Sequence, residues 1–310
     1  MFWRKKNKHI TEPVNAIQET TDVTDINVVI KTDLGNIRTN NEDTAGFYRI
    51  ADKNLLNEKG YLLIVADGMG GHNAGEVASN MAVEIINKEY YSDVKSGSIE
   101  KSLSQAFVAA NKKIFDQASS NDACKGMGTT CTAIVIAGNV IYYAHAGDSR
   151  AYLARNRSVY QLTEDHTYVR DLVKSGAISA KEADDHPQRN ILTNAMGTKA
   201  DMRLDVGKSQ FSFEENDRLL LCSDGLYDYL NDAELADMMD SGTLLHIAGV
   251  LINIAKKRGG KDNITVVLAE KKMIADDISE KLTRDVDISL LTRDADISLL
   301  TRDADLPTDI

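Results

Sequence analysis

The chain has 310 residues, 43% of them hydrophobic and 27% charged, with a formal net charge of −11. That length buries a substantial core in one large or two smaller domains, and the composition is that of a soluble globular protein. The acidic balance argues against a nucleic-acid partner, and no apolar run reaches the ~18 residues that a membrane-spanning helix needs.

The start, MFWRKKNKH, is basic without the apolar stretch of a secretory leader, and residues 1–25 read as a flexible lead-in, polar and Thr-rich from Glu12 to Asp25. Ile26–Lys31 predicts a first strand. A turn-rich passage to Tyr48 follows, holding Arg38, Asn41, Glu42 and Asp43, then a loop around Asp52–Gly60. Leu62–Gly71 (LLIVADGMGG) is an apolar run that ends on one carboxylate, Asp67, and a glycine cluster. Such a run predicts a buried strand, and an acid at its end must be paired, hydrogen-bonded or bound to a cation. Val77, Ala78, Met81, Ile85 and Ile86 then recur at helical spacing and predict a core-facing helix ending near Tyr91. Ile99, Leu103, Phe107, Ala110 and Ile114 predict a second.

Beyond them the period changes. Cys131–Ala137, Val140–His145, Arg150–Ala154 and Val159–Leu162 are short strands joined by tight turns, an antiparallel meander. Residues Asp165–Thr198 interrupt it with short helical pieces and Pro187. Arg218–Cys222 is a strand running into SDGLYDYL, Leu244–Ala255 a helix, and KDNITVVLAE a last strand. Two helical blocks around antiparallel strands predict an α+β fold: a central β-sandwich of two antiparallel sheets with helices outside. The domain so predicted is 26–273. From Ile274 to Ile310 ten acids face four bases, and LTRDVDISL, LTRDADISL and LTRDADLPT form a nine-residue repeat. The copies are too short and polar for a solenoid, so this is read as an acidic disordered tail, or a docking or self-regulating segment. The three cysteines, Cys124, Cys131 and Cys222, lie at no metal-ligand spacing and cannot all pair, which points to a reducing, cytoplasmic compartment.

Three acids share one local grammar, an apolar strand followed by Asp and a turn: Asp67 (VADGMGG), Asp148 (HAGDSR) and Asp224 (LCSDGL). Asp262 (KDNITVV) mirrors it ahead of a strand, and Glu42-Asp43 is an adjacent pair. Any one alone is a turn former or cap. Together, at strand ends of one sheet system, they repel unless cations sit between them. Oxygen ligands without a His/Cys pattern suit Mn²⁺ or Mg²⁺ rather than zinc. Two such ions ~3.5–4 Å apart hold and activate a water against a phosphorus centre. Arg38, four residues before Glu42, carries the planar fork that grips phosphate. The residues alone therefore indicate metal-assisted phosphoester hydrolysis without choosing the ester.

With DLGNIRTNNEDT, VADGMGGHNAGEVAS, GMGTTCTA, HAGDSRAYL, LTEDHTYV, HPQRNILTNAMG, LLLCSDGLYD and KDNITVV in order, the sequence resembles the metal-dependent (PPM, type 2C) serine/threonine protein phosphatases in their bacterial form, from about Ile26 to Glu270. The resemblance implies a β-sandwich flanked by helix pairs, two core Mn²⁺ or Mg²⁺ ions and a third, looser one. It makes Asp67 the carboxylate between the core ions and Gly68 a carbonyl ligand. Asp224 and Asp262 fall on one core ion and Glu42 on the other, with Asp43 holding metal-bound water, Asp148 on the third ion and Arg38 on the substrate phosphate. It makes 165–198 a flap beside the site. The implied reaction is in-line attack of a bridging hydroxide on phosphoserine or phosphothreonine. A His that follows the DG pair in some relatives is Met69 here, and His72 stands three residues on, so the proton donor to the leaving group stays open. His145 reads as a satisfied core residue, His166 as a structural partner of the flap base, and Thr129 and Thr130 as turn shapers; no role falls to His186. Substrates are phosphorylated proteins, with a serine/threonine kinase as the opposing partner and a monomer as the expected state. The competing readings are a non-catalytic phosphoprotein-binding relative, which would lack metal acids, and a two-metal phosphoesterase for small molecules.

Overall fold

The computed structural model describes residues 18–19, 26–70, 74–92, 97–240 and 242–271. The tail from Ile274, His72 and nearly all of the lead-in lie outside them. In chain order the strands are β1 (Gln18–Glu19), β2 (Ile26–Asp33), β3 (Asp43–Tyr48), β4 (Tyr61–Met69), β5 (Gly128–Thr129), β6 (Cys131–Ala137), β7 (Val140–Ala146), β8 (Arg150–Arg155), β9 (Ser158–Gln161), β10 (Asp205–Ser212), β11 (Arg218–Cys222) and β12 (Ile264–Lys271). The helices are α1 (Lys53–Lys59), α2 (Ala74–Ser92), α3 (Ile99–Ser120), α4 (Tyr168–Lys174), α5 (Ala180–Asp184), α6 (Asp224–Tyr227), α7 (Asp232–Met239) and α8 (Leu244–Lys257).

The strands form two antiparallel sheets, one ordered β1-β2-β12-β11-β8-β9 and the other β10-β7-β6-β4-β3, with β5 paired to the end of β4. Strand alternation divides their side chains between two faces. Leu63 and Val65 of β4, Leu219 and Leu221 of β11, and Val267 and Ala269 of β12 pack in one core between the sheets. Leu62, Ile64 and Ala66 point the other way, under α2 and α3. Leu220, Cys222, Val266 and Leu268 do the same under α6, α7 and α8. The α+β sandwich with helices outside is thus the observed architecture, and the meander strands fall where their alternation predicts them.

Three local readings need correction. The passage before Tyr48 is not all turn: Asp43–Tyr48 is β3, the edge partner of β4, in register from Asp43↔Asp67 to Tyr48↔Leu62. Its DTAGFY has little apolar alternation because one side lies under α2, where Thr44 Oγ1 meets Ser79 Oγ at 2.9 Å. The loop at Asp52–Gly60 contains α1, capped by Asp52 accepting from the Asn54 and Leu55 amides. On α2 the buried face runs through Ala74, Ala78, Ala82, Val83, Ile86 and Tyr90, while Val77 is 38% exposed. Small alanines let α2 sit close on β4, so the stripe is rotated toward them.

That rotation is testable by urea unfolding. Ile86→Ala should cost about 2–4 kcal/mol by cavity formation, and Val77→Ala at the half-open position under about 0.5 kcal/mol. Similar losses for both would contradict the observed helix face.

Candidate active site

β11 and β12 pair antiparallel with Cys222 opposite Val266, so the end of β11 and the start of β12 share one edge of their sheet. In the other sheet the end of β4 meets the start of β3, and the end of β7 meets the start of β6. The turn Gly147–Ser149 carries the chain from β7 in one sheet to β8 in the other, bringing the two ends together. Asp67, Asp43, Asp148, Asp224 and Asp262 all lie at this end. Asp43 and Asp67 continue the inward parity of Ala45 and Val65 and are direct cross-strand partners. Like charges in that relation destabilise a sheet.

Named groups hold most of these acids or the backbone that carries them. Ser223 Oγ donates to Asp43 Oδ2 at 2.7 Å across the two sheets, and the Thr265 amide donates to Ser223 Oγ at 3.1 Å. The Asp67 amide donates to Thr130 Oγ1 at 2.9 Å, and Thr129 Oγ1 donates to the Asp67 carbonyl at 2.9 Å. The two threonines therefore fix the backbone at Asp67 rather than act as nucleophiles. Gly68 donates its amide to the Glu42 carbonyl at 3.0 Å, and a Cβ there would lie 2.1 Å from the Gly75 carbonyl oxygen. Only glycine lets these three segments meet. Glu42 abuts Gly75, where a Cβ would lie 2.8 Å from its carboxyl. Arg38, 47% exposed at its side chain, donates from Nη2 to Asp262 Oδ2 at 2.7 Å. Asp148 is buried beside Tyr227, whose ring lies 3.7 Å under the Arg150 guanidinium.

The electrostatics follow from this crowding. Burial first, then the charges of Asp43, Asp224, Asp148 and Asp262, push the Asp67 carboxyl well above the ordinary range. Burial, then Asp148 and Asp262, do the same to Asp224. Asp43 is raised to about 6 by burial, against hydroxyl bonds from Thr265 and Ser223 that lower it. Asp148 is raised to about 7 by burial and Asp165, with Arg150 and Tyr227 opposing. Glu42 is raised by burial, with Arg38 and the Gly75 amide opposing. Asp43 Oδ1 and Asp224 Oδ1 are buried with no hydrogen-bond partner. A cluster of hard oxygens that repel one another, two of them orphaned, fits divalent cations.

The supports of these acids are ordinary polar residues in the sequence. Asn263 ties the Arg38 loop to this edge: its Nδ2 donates to the carbonyls of Leu34 (3.2 Å) and Asn40 (3.0 Å), and its Oδ1 accepts from the Glu42 amide at 2.9 Å. Ser223 and Asn263 flank two of the acids, so their adjacency was the available signal. Met69 is drawn into pairing with Gly128 and brings no ionisable group. His145 is fully buried with Nδ1 2.8 Å from Thr132 Oγ1 and Nε2 3.1 Å from the Glu164 carbonyl, a satisfied core residue. The flap carries α4 and α5, and Arg189 Nη2 reaches Asp228 Oδ2 at 3.0 Å. A cavity of about 180 Å³ lies between Arg189 and Asn190 of the flap and Asp224, Lys261 and Asp262 of the body. A larger one of about 1430 Å³ runs from Asp148 and Tyr227 along α4 and α5.

A model of the Protein phosphatase 2C family matches residues 30–171. The chain is 41% identical to "Serine/threonine phosphatase stp" of Listeria innocua over 248 residues, 79% of this chain and 95% of that protein. The chain belongs to the protein phosphatase 2C family. Among solved structures, the S. agalactiae serine/threonine phosphatase superposes with a TM-score of 0.71 at 36% identity, covering 80% of this chain and 100% of that one. The catalytic domain of the phosphatase PstP, solved in complex with two manganese ions, gives 0.65 at 35% identity over 79% and 97%. The chain is thus a protein phosphatase of a metal-dependent family.

The raised carboxyls set the pH response of the cation-free phosphatase. Folded Asp43 and Asp148 hold protons that the unfolded chain has already lost above pH ~4, so their contribution to stability is greatest below that pH and falls as pH rises through about 6 and 7. The buried His145, which burial lowers to about 4, opposes this with a smaller gain. Thermal melts in chelator should therefore give a lower Tm at pH 8 than at pH 5. Added Mn²⁺ at 100 times its Kd should restore about 2.7 kcal/mol per site at pH 8. A chelated protein that gains stability from pH 5 to 8 would contradict this.

Proposed function

We propose that this phosphatase hydrolyses phosphoserine and phosphothreonine in proteins at the carboxylate end of its sandwich, as a cytoplasmic monomer opposing a serine/threonine kinase. The observation that carries the reading is the convergence of Asp43, Asp67, Asp148, Asp224 and Asp262, with the buried Oδ1 atoms of Asp43 and Asp224 left orphaned. Asp67, the Gly68 carbonyl, Glu42, Asp224 and Asp262 would hold two core Mn²⁺ or Mg²⁺ ions, Asp43 would order the water beside them, and Asp148 would hold a third ion. When bound, such cations activate a water and neutralise charge developing on the phosphoryl oxygens.

The chain's own residues do the rest. Arg38 leaves Asp262 for the substrate, where its fork takes two phosphoryl oxygens and keeps the phosphorus in line. Its half-exposed guanidinium and its bond to Asp262, one of the site's acids, support that role. Ser223 and Thr265 keep the Asp43 carboxylate turned inward. Met69 offers no proton, so the leaving alkoxide would draw its proton from water or from His72. The flap, tied by Arg189 to Asp228, walls the cavity in which residues flanking the phosphorylated one would lie. The set of acids is complete, which favours catalysis over phosphoprotein binding alone.

Phosphate release from a phosphothreonine peptide should require Mn²⁺ or Mg²⁺ and fall by at least about 10²-fold in Asp67→Asn, the loss that follows removal of one preorganised electrostatic group. Arg38→Lys, which keeps the charge but not the fork, should lose about tenfold in kcat/KM on the peptide. Metal-independent release, or a fully active Asp67→Asn, would refute the site.

A further inference from the structure

Asp148 is the one inner acid carried by a turn between the sheets, and its two neighbours are pinned from opposite sides. Ser149 donates or accepts through Oγ with Thr130 Oγ1 at 2.7 Å, and its carbonyl accepts from Thr132 Oγ1 at 2.7 Å. Gly147 is held by a single residue of the flap stem. The His166 amide donates to the Gly147 carbonyl at 2.7 Å, and the Gly147 amide donates to His166 Nδ1 at 3.2 Å. Gly147 has φ +118°, and a Cβ there would lie 2.5 Å from Thr130 Cβ, so nothing else fits the turn.

The protons in this network can be counted. The Arg203 amide donates to Asn194 Oδ1 at 3.0 Å, which turns the Asn194 NH₂ toward the Arg203 carbonyl (2.9 Å) and His166 Nδ1 (2.8 Å). His166 Nδ1 thus faces two donors, Gly147 and Asn194, and must be the unprotonated nitrogen. Its Nε2 lies 3.0 Å from Asp205 Oδ2 and carries the hydrogen. The ring is fully buried, and Thr193 donates its amide to the His166 carbonyl at 2.9 Å, so both stems of the flap meet at this residue.

We infer that His166, as its Nε2–H tautomer, is a positioning residue for Asp148: through Nδ1 it fixes the Gly147 turn that aims this carboxylate, and so ties cation binding there to the flap stems. The inference rests on the reading of Asp148 as a cation ligand. Outer groups that orient a ligand without touching the ion change metal affinity 10–100-fold when lost.

Two substitutions separate positioning from mere filling of space. An Asn carbonyl oxygen can stand where Nδ1 stands; a Gln amide reaches only the Nε2 position. In calorimetric Mn²⁺ titrations of the full chain, Asp148→Asn identifies the site concerned by abolishing the weakest binding event. At that event His166→Asn should stay within about threefold of wild type and His166→Gln should weaken at least about tenfold. The tighter sites should be unchanged in both. Equal weakening in the two variants, or wild-type binding by His166→Gln, would overturn the proposal. An Asp148→Asn protein that binds like wild type would instead overturn the reading of Asp148 and take the proposal with it. Should neither His166 variant fold, as judged by circular dichroism, the ¹⁵N histidine spectrum of the wild-type chain decides. Protonation at Nε2 supports the inference, and protonation at Nδ1 overturns it.

Discussion

Asp43 and Asp67 face each other across adjacent strands at the buried end of a sandwich, with Asp224 and Asp148 close enough to raise both the charge density and one another's proton affinity. In the low dielectric there, a second ionised carboxylate is expensive and a third more so. The cluster can exist in two ways only, partly protonated or neutralised by cations. Everything around it serves to hold the acids in place while that choice is made by pH and metal. Ser223 and Thr265 reach from one sheet to Asp43 in the other, and Thr130, between β5 and β6, fixes the backbone of Asp67. These bonds restrain the carboxylates without neutralising them.

The apolar part of the molecule makes that restraint possible. Three buried layers, one between the sheets and one under each helical face, keep β4, β11 and β12 from shifting against one another. Because strand parity is strict, a one-residue slip of β4 would turn Asp67 out of the sandwich and under α2. The register that buries Leu63 and Val65 between the sheets is the same register that points Asp67 at Asp43. Core packing and site geometry are one constraint here, and the cost of the site is carried by the core.

Much of this was legible in the residues. The apolar runs ending in Asp67 and Asp224, and the one beginning after Asp262, are strong strand signals because both faces of each strand are covered, so their apolarity is nearly continuous. β3 was not legible: as an edge strand facing α2 with Thr44 it needs no alternation, and the glycine at 46 reads as a turn. The face of α2 was misjudged because hydrophobicity ranks Val77 above Ala82, whereas close approach to the sheet selects the alanine. At the site, the acids stood out as repeated strand-end patterns. Their supports did not, since Ser223, Thr265 and Asn263 are ordinary polar residues until the pairing of β11 with β12 brings them to the acids.

The acids also differ in what holds them. Asp67 and Asp43 belong to strands, Asp224 opens a helix two residues after the end of β11, and Asp262 lies two residues before the start of β12. Asp43 and Asp67 cannot drift without unpairing a ladder, and the bond from the Ser223 amide to the Thr265 carbonyl at 3.2 Å holds the chain just before Asp224. Asp148 has no such anchor, because its turn leaves one sheet before joining the other and is held by side chains on each side. A ligand fixed by a ladder loses little freedom when a cation binds, whereas one fixed by a few side-chain bonds must be ordered at some cost in affinity. The fold therefore divides its acids into a rigid group and an adjustable one. The adjustable one is the acid whose supports, through Asp165 on Arg150 and His166 on Gly147, lie in the first residues of the flap.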